Sequence, residues 1–293
     1  MKTTLAIIND AMADHPRACL AFSGGTDSLI LLDIIYRLTP HRPLVVFADS
    51  GMEYPETRPF VEKVCSSYGA ELHIAAPTRT PEEQWCRQGW PMLGKLAARI
   101  WMQKHRSRNF GFKIDVSSCC RNMKIAPARR LARKLGCTLQ FTGQRGGQDD
   151  MLRGLRAIKD GASHHVKSDS LTICNPLLGW TDQMNRRYTR RHGLPTHPAR
   201  LRGAVTIGCV FCGGGSQFST SGFKILRRSW PEAWYRFMVD NAAGEIVLSL
   251  KYDRPLAIIR QAVEASGGLL YLADHHPWVF DFTSKSPLPG YEK

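Results

Sequence analysis

Between Ser23 and Ser28 the chain reads Ser-Gly-Gly-Thr-Asp-Ser, with the apolar run Ala18–Phe22 before it and a new apolar pattern after it. Leu29, Leu32 and Ile35 recur at helical spacing between Asp27 and Leu38, so the hexapeptide is a turn from a buried strand into a helix. Such a turn presents free backbone N–H groups and the positive end of a helix dipole, which suits a phosphate. Gly24 and Gly25 let the backbone approach closely, and Ser23 and Ser28 can donate hydroxyl hydrogen bonds. Asp27 is an odd neighbour for a phosphate unless it caps the helix or helps to bind Mg²⁺. The lysine and the length of the G-x-x-x-x-G-K-[ST] loop are missing. The plainer reading of the same residues is a Ser/Asp-capped helix after a tight turn.

The second chemical group is sulfur. Cys119 and Cys120 are adjacent, and Cys209-Val210-Phe211-Cys212 is a C-x-x-C pair flanked by Gly208 and by Gly213, Gly214 and Gly215. A C-x-x-C loop turns both thiolates to one side, and glycines let the backbone wrap a metal. Four thiolates in two close pairs fit Zn²⁺ or an iron–sulfur cluster. Adjacent cysteines point apart, which favours a wide cluster over one ion. The other five of the nine cysteines, Cys19, Cys65, Cys86, Cys137 and Cys174, read as buried small hydrophobes. His164-His165 receives no role.

These groups need elements to position them. "PLVVFADS", Pro43 to Ser50, is a second buried strand; "PETRPFVEKVCSSYG" is a helix stopping at Gly69; "AELHIAA" is a third strand. A helix is expected near Leu93–His105. "MKIAPARRLARKLG" is a basic helix with Pro127 in its first turn, and "CTLQFTG" is another strand. "TDQMNRRYTRRHG" is a helix capped by Thr181 or Asp182 and stopped by Gly193. Strands alternating with helices imply a parallel sheet covered on both faces. "GFKILRRSWPEAWYRFMVDNAAG" and "RPLAIIRQAVEASGG" are helices of a C-terminal cap. The expected division is therefore 1–200, a nucleotide-binding domain, and 201–293, a cysteine-bearing loop with the helical cap.

The chain has 293 residues, 43% of them hydrophobic, which allows a sizeable core. Its formal charge is +15, so a polyanion is an expected partner; a solvated basic surface is the alternative. Arg129, Arg130, Arg133 and Lys134 repeat at helical spacing, as do Arg186, Arg187, Arg190 and Arg191, followed by Arg200 and Arg202. Two such helices could track a phosphate backbone. No apolar run reaches membrane-spanning length, and Asp10 and Asp14 interrupt the N-terminal stretch where a signal peptide would be apolar. The expected location is the cytoplasm, with no membrane partner.

Several segments resemble one family. The Ser23–Ser28 loop resembles that of the ATP pyrophosphatases, which cleave ATP between the α and β phosphates. "FADSGMEYPET", "FTGQRGGQDDMLRG" and "NPLLGWTDQMNRRYTRRHGLPTHP" resemble segments of the phosphoadenosine phosphosulfate (PAPS) reductase branch of that superfamily. The Cys-Cys pair followed by Gly-Cys-x-x-Cys resembles the 4Fe-4S pattern of bacterial adenosine phosphosulfate (APS) reductases. The resemblance spans about residues 18–215. It implies an α/β fold, a doubly wound parallel sheet of the adenine nucleotide alpha hydrolase-like kind, with a helical, cysteine-bearing C-terminal extension. It also implies that Ser23, Gly24, Gly25, Thr26, Asp27, Ser28, Asp49, Ser50 and Gly51 lie beside the nucleotide. Arg145 would meet a phosphate or sulfate, with Asp27 and Ser28 acting beside it in catalysis. Cys119, Cys120, Cys209 and Cys212 would hold the cluster.

Two departures choose among the family's activities. Reductases of this family usually carry a modified loop, whereas here the ATP-cleaving form is intact. They also use a cysteine on a C-terminal tail, and "DFTSKSPLPGYEK" has none unless Cys65, Cys86 or Cys174 substitutes. The leading expectation is an enzyme that cleaves ATP to AMP and pyrophosphate with Mg²⁺, carries a 4Fe-4S cluster, and adenylates an acceptor for sulfur transfer. The acceptor would be nucleic acid, as in DNA phosphorothioation or RNA thiolation, and a cysteine desulfurase or other donor would supply sulfur. The alternatives are an APS or PAPS reductase producing sulfite, and a non-catalytic nucleotide-binding partner in a nucleic-acid defence complex.

Overall fold

The apolar run before the glycine turn becomes strand β1, Ala18–Ala21, with Cys19 and Leu20 fully buried on opposite faces. Leu20 joins a core with Leu31, Ile35, Val45, Phe47 and Phe141, while Cys19 joins a second one with Val46, Ala132 and Cys137. A strand buried on both faces needs apolar residues at every position, as parallel sheets do. The structure is a computed structural model, and it describes residues 2–115, 117–147, 151–204, 206–212, 222–280 and 284–291.

Among the described residues six strands form one sheet in the order β3-β2-β1-β4-β6-β5. β2 is Leu44–Ala48, β3 Leu72–Ala75, β4 Leu139–Phe141, β5 Ser163–Val166 and β6 Leu171–Cys174. Registers such as Leu20↔Val45 and Leu20↔Phe141 are parallel; only β5 runs antiparallel, along β6 at the edge. The α/β doubly wound expectation holds. The chain leaves β1 toward β2 and β3, then returns to place β4 on the other side of β1. The loops after β1 and β4 therefore diverge at a topological switch point, the crevice where such sheets bind ligands.

The helix Thr26–Leu38 follows β1, Thr57–Ser67 follows β2, and Asp182–Arg191 starts at Thr181, whose hydroxyl accepts the Met184 N–H at 3.2 Å. The basic stretch opens as a π-helix, Arg121–Ile125, and continues as the α-helix Ala126–Lys134. Ala128 and Ala132 turn inward, leaving Arg130, Arg133 and Lys134 exposed. β5, β6 and the helices Lys2–Asp14, Pro81–Gln88 and Met151–Asp160 have no counterpart in the sequence reading. β5 is Ser-His-His-Val and has no apolar run to mark it as a strand.

The chain packs as two compact units: Met1–Thr78 with Asn122–Leu201, and Arg79–Arg121 with Arg202–Lys293. The sequence division kept residues 79–121 with the sheet. Packing gives them to the second unit, because Trp85 lies against Trp90 and Phe237, and Leu256 donates its N–H to Phe110. The second unit is otherwise helical, with Gly222–Ser229, Pro231–Tyr235, Ala243–Tyr252, Leu256–Ala265 and Gly268–His275. No helix among the described residues is long and apolar enough to cross a membrane.

Candidate active site

The Ser23–Ser28 turn is built around Ser28. Its hydroxyl donates to the Gly25 carbonyl at 3.0 Å, lies 3.1 Å from the Ser23 hydroxyl, and accepts the Ser23 N–H at 3.3 Å. Gly24 has φ +75°, a left-handed conformation that glycine adopts without strain. Gly25 is the N-cap of Thr26–Leu38 and has no side chain to offer, so the first-turn N–H groups of Thr26, Asp27 and Ser28 receive no side-chain cap. Of the two sequence readings, Ser/Asp capping is the one this geometry lacks. An uncapped helix start presents donors to an anion.

Asp27 leaves the first turn sideways. Its Oδ1 accepts Arg145 Nε at 3.0 Å and Asn185 Nδ2. Arg145 is buried; its Nη2 donates to Asp182 at 2.7 Å and its Nη1 to the Trp180 carbonyl at 3.3 Å. The loop after β4, the start of Thr26–Leu38 and the start of Asp182–Arg191 thus meet through one guanidinium. Burial pushes the Asp27 carboxyl above the usual carboxylate range and the Asp182 charge adds to that; the Arg145 charge and the Arg145 and Asn185 hydrogen bonds pull the other way. In this arrangement Arg145 is occupied by protein acceptors and orients Asp27. Gly143 makes the junction possible, since a Cβ there would stand 2.8 Å from Ser28 N. The remainder of the resembling segment, Gln148 to Asp150, lies outside the described residues.

The turn after β2 carries Asp49, Ser50 and Gly51. Asp49 Oδ1 accepts the Gly51 N–H at 3.2 Å and its other oxygen pairs with Arg58 at 3.5 Å. Ser50 is buried and donates both its N–H (2.9 Å) and its hydroxyl (2.7 Å) to Glu53. Lys124 reaches the same carboxylate at 2.7 Å. Burial raises the Glu53 carboxyl, but the Lys124 charge and the bonds from Lys124 and Ser50 outweigh it and hold it below the ordinary value. The sequence reading missed Glu53, although Ser50-x-x-Glu53 has capping-box spacing. It also missed Asn185, Gly143 and His197, which only the tertiary fold brings to the loop.

In the second unit Cys119 is buried. Burial raises its thiol pKa, and the neighbouring sulfurs of Cys209, Cys120 and Cys212 raise it further. The two pairs, distant in sequence, therefore lie within one another's field. Asp115 accepts the N–H groups of Ser118 and Cys119, each at 2.9 Å, and fixes the turn that presents Cys119. Among the described residues no group of three or more His, Cys, Asp or Glu side chains is set to hold a single ion. The four sulfurs neighbour one another, and cysteine sulfur is the donor that an iron–sulfur cluster takes. Gly213–Gly215 lie outside the described residues.

Cys19, Cys65, Cys137 and Cys174 are buried, as expected; Cys19 and Cys137 hydrogen-bond each other. Cys86 is exposed, contrary to expectation, because the helix Pro81–Gln88 turns Gln84 and Trp85 inward instead. Arg186, Arg187, Arg190 and Arg191 are exposed and have no ion-pair partner among the described residues, whereas Arg129 is held by Asp169 at 2.7 Å.

Residues 17–214 match the phosphoadenosine phosphosulfate reductase domain. Over 195 residues the chain is 29% identical to the phosphoadenosine 5'-phosphosulfate reductase of Thiocapsa roseopersicina, spanning 67% of this chain and 71% of that one. Among solved structures it is similar to the PAPS reductase from Candida auris in its phosphate complex, with a TM-score of 0.49 and 20% identity over 70% of this chain and 87% of that one. It is also similar to the U34-tRNA thiolase from Methanococcus maripaludis with its 4Fe-4S cluster, with a TM-score of 0.41 and 16% identity over 78% and 71% of the two chains.

Proposed function

The chain belongs to the phosphoadenosine phosphosulfate reductase family, and within it we propose an ATP-cleaving enzyme that adenylates an acceptor for sulfur transfer. The observation that carries this reading is the Ser23–Ser28 loop: a complete Ser-Gly-Gly-x-Asp-Ser turn on an uncapped helix start, with Asp27 held beside it. An oxygen of the acceptor attacks the α-phosphorus of ATP. The bond from that phosphorus to the α–β bridging oxygen breaks, and pyrophosphate leaves with the electron pair. The first-turn N–H groups stand ready for the charge that develops there. Asp27 would help to hold Mg²⁺. The acceptor then carries adenylate as a leaving group, which sulfur from a cysteine desulfurase or another donor displaces.

Cys119, Cys120, Cys209 and Cys212 would hold a 4Fe-4S cluster, which supplies polarisable iron and sulfide for handling sulfur. Nucleic acid is the proposed acceptor, supported by the charge of +15 and by the exposed Arg186, Arg187, Arg190 and Arg191, which have no ion-pair partner among the described residues. The name of the Thiocapsa roseopersicina relative favours a second reading, a sulfonucleotide reductase releasing sulfite. Anaerobic incubation with ATP and nucleic acid separates them. AMP and pyrophosphate are the expected products. ADP would place the scission elsewhere, sulfite released from APS or PAPS would establish the second reading, and binding without turnover would mark an idle partner.

A further inference from the structure

His197 follows the helix Asp182–Arg191 and is 3% exposed. Its Nδ1 accepts the backbone N–H of Ala199 at 3.1 Å. A nitrogen that accepts carries the lone pair, so the ring proton resides on Nε2. That Nε2 is buried and has no hydrogen-bond partner among the described residues. A donor closed to water and left unpaired is a standing penalty in the free protein, and such a group calls for an explanation.

Its position supplies one. The ring packs on Phe60 with centroids 4.7 Å apart. Its Cδ2, the carbon bonded to Nε2, lies 3.4 Å from where a Cβ on Gly24 would stand. Gly24 belongs to the loop whose helix start has no side-chain cap. The ring that carries a buried, unsatisfied N–H therefore packs on Gly24, next to the uncapped helix start at Gly25, and neither has a side-chain acceptor among the described residues. Burial holds the imidazole below its ordinary pKa; Glu56 opposes this and Arg200 adds to it. The ring accordingly stays neutral and acts as a directed donor.

We propose that His197 is an anion-binding residue whose Nε2–H donates to a phosphate or sulfate oxygen held on the Ser23–Ser28 loop. The inference rests on that loop being an anion site, as proposed above, and not on ATP being the anion. Nε2 is covered in the free protein, so its bond forms as the loop yields at Gly24 to seat the ligand.

The test uses the full chain, purified anaerobically and labelled with ¹⁵N-histidine. The His197 Hε2 resonance is followed during titration with inorganic pyrophosphate, inorganic sulfate, ATP and adenosine. The expected result is a downfield move and slower exchange with each anion that binds, and no move with adenosine. In parallel, His197→Phe should weaken binding of the same anions about ten-fold at an unchanged melting temperature, the loss of one charge-assisted hydrogen bond, and His197→Asn should recover part of it. The wild-type titration stands even if the Phe variant fails to fold. An Hε2 resonance unmoved by saturating anion would overturn the proposal, as would wild-type affinity in a folded Phe variant or a wild type that binds none of the anions. A shift with pyrophosphate or sulfate but no ATP binding sustains His197 and defeats the ATP reading. ATP cleavage with a static Hε2 does the reverse.

Discussion

Asp27 and Glu53 are two carboxylates whose surroundings push them in opposite directions. Burial raises Asp27 despite Arg145 and Asn185, whereas Lys124 and Ser50 overcome burial at Glu53 and lower it. Glu53 therefore contributes stability that is present above its unfolded value and is lost only as pH falls through its depressed folded one. Asp27 keeps its proton to a higher pH than an ordinary carboxylate, so an ionised Asp27 is scarce in acid. In the nucleotide-free chain Asp27 should accordingly titrate above the ordinary aspartate value of 3.8, as carboxyl ¹³C NMR would follow. Asp27→Asn preserves an acceptor for Arg145 and removes the charge. It should lower AMP formation about 100-fold, with a retained circular dichroism spectrum, the scale of losing one preorganised electrostatic group. Wild-type rates in that variant would remove Asp27 from the chemistry.

At the scale of elements, the junction of three segments at Arg145 depends on how closely the loop after β4 passes the start of Thr26–Leu38. Gly143→Ala would put a methyl group 2.8 Å from Ser28 N, against backbone that cannot step aside. Overpacking of that kind costs about 1–3 kcal/mol, and here it also displaces Arg145 from Asp27. Gly147→Ala meets nothing within 4 Å among the described residues and serves as the control. Nucleotide affinity measured calorimetrically should fall in the first variant and not in the second. The helix Asp182–Arg191 has two duties on two faces: Asn185 and Tyr188 are buried, while Arg186, Arg187, Arg190 and Arg191 are exposed. If the outer face tracks a phosphate backbone, Arg186→Ala with Arg190→Ala should flatten the dependence of log affinity on log salt by roughly two units for duplex nucleic acid, because two fewer counterions are released. ATP cleavage without nucleic acid should change little. An unchanged slope would point to a small-molecule acceptor.

At the scale of the molecule, one compact unit carries the Ser23–Ser28 loop and the other carries Cys119, Cys120, Cys209 and Cys212. Anaerobic preparations should be brown and contain about four iron atoms per chain, as a Cys₄-held 4Fe-4S cluster requires. Cys212→Ser should bleach the protein, whereas Cys137→Ser, in the sheet's second core, should keep the colour. Stoichiometric zinc without iron would refute the cluster. Much of this was legible in the chain itself. The Ser23–Ser28 turn, the strand before it and the helix after it are local, because a run of apolar residues, two glycines and a 3.6-residue period act over a few neighbours. The alternation of strands and helices likewise announces a parallel sheet. What the fold alone decided is long-range. Arg145 and Asn185 reach Asp27 from 118 and 158 residues away, and no local pattern encodes that pairing. The stretch Arg79–Arg121 joins the second unit because of where Trp85 and Phe110 find partners, information held in residues after 202. His197 reads as an ordinary loop histidine until the chain closes, packs its ring on Gly24 and leaves Nε2 buried without a partner among the described residues, since burial and hydrogen-bond satisfaction exist only once distant segments have packed.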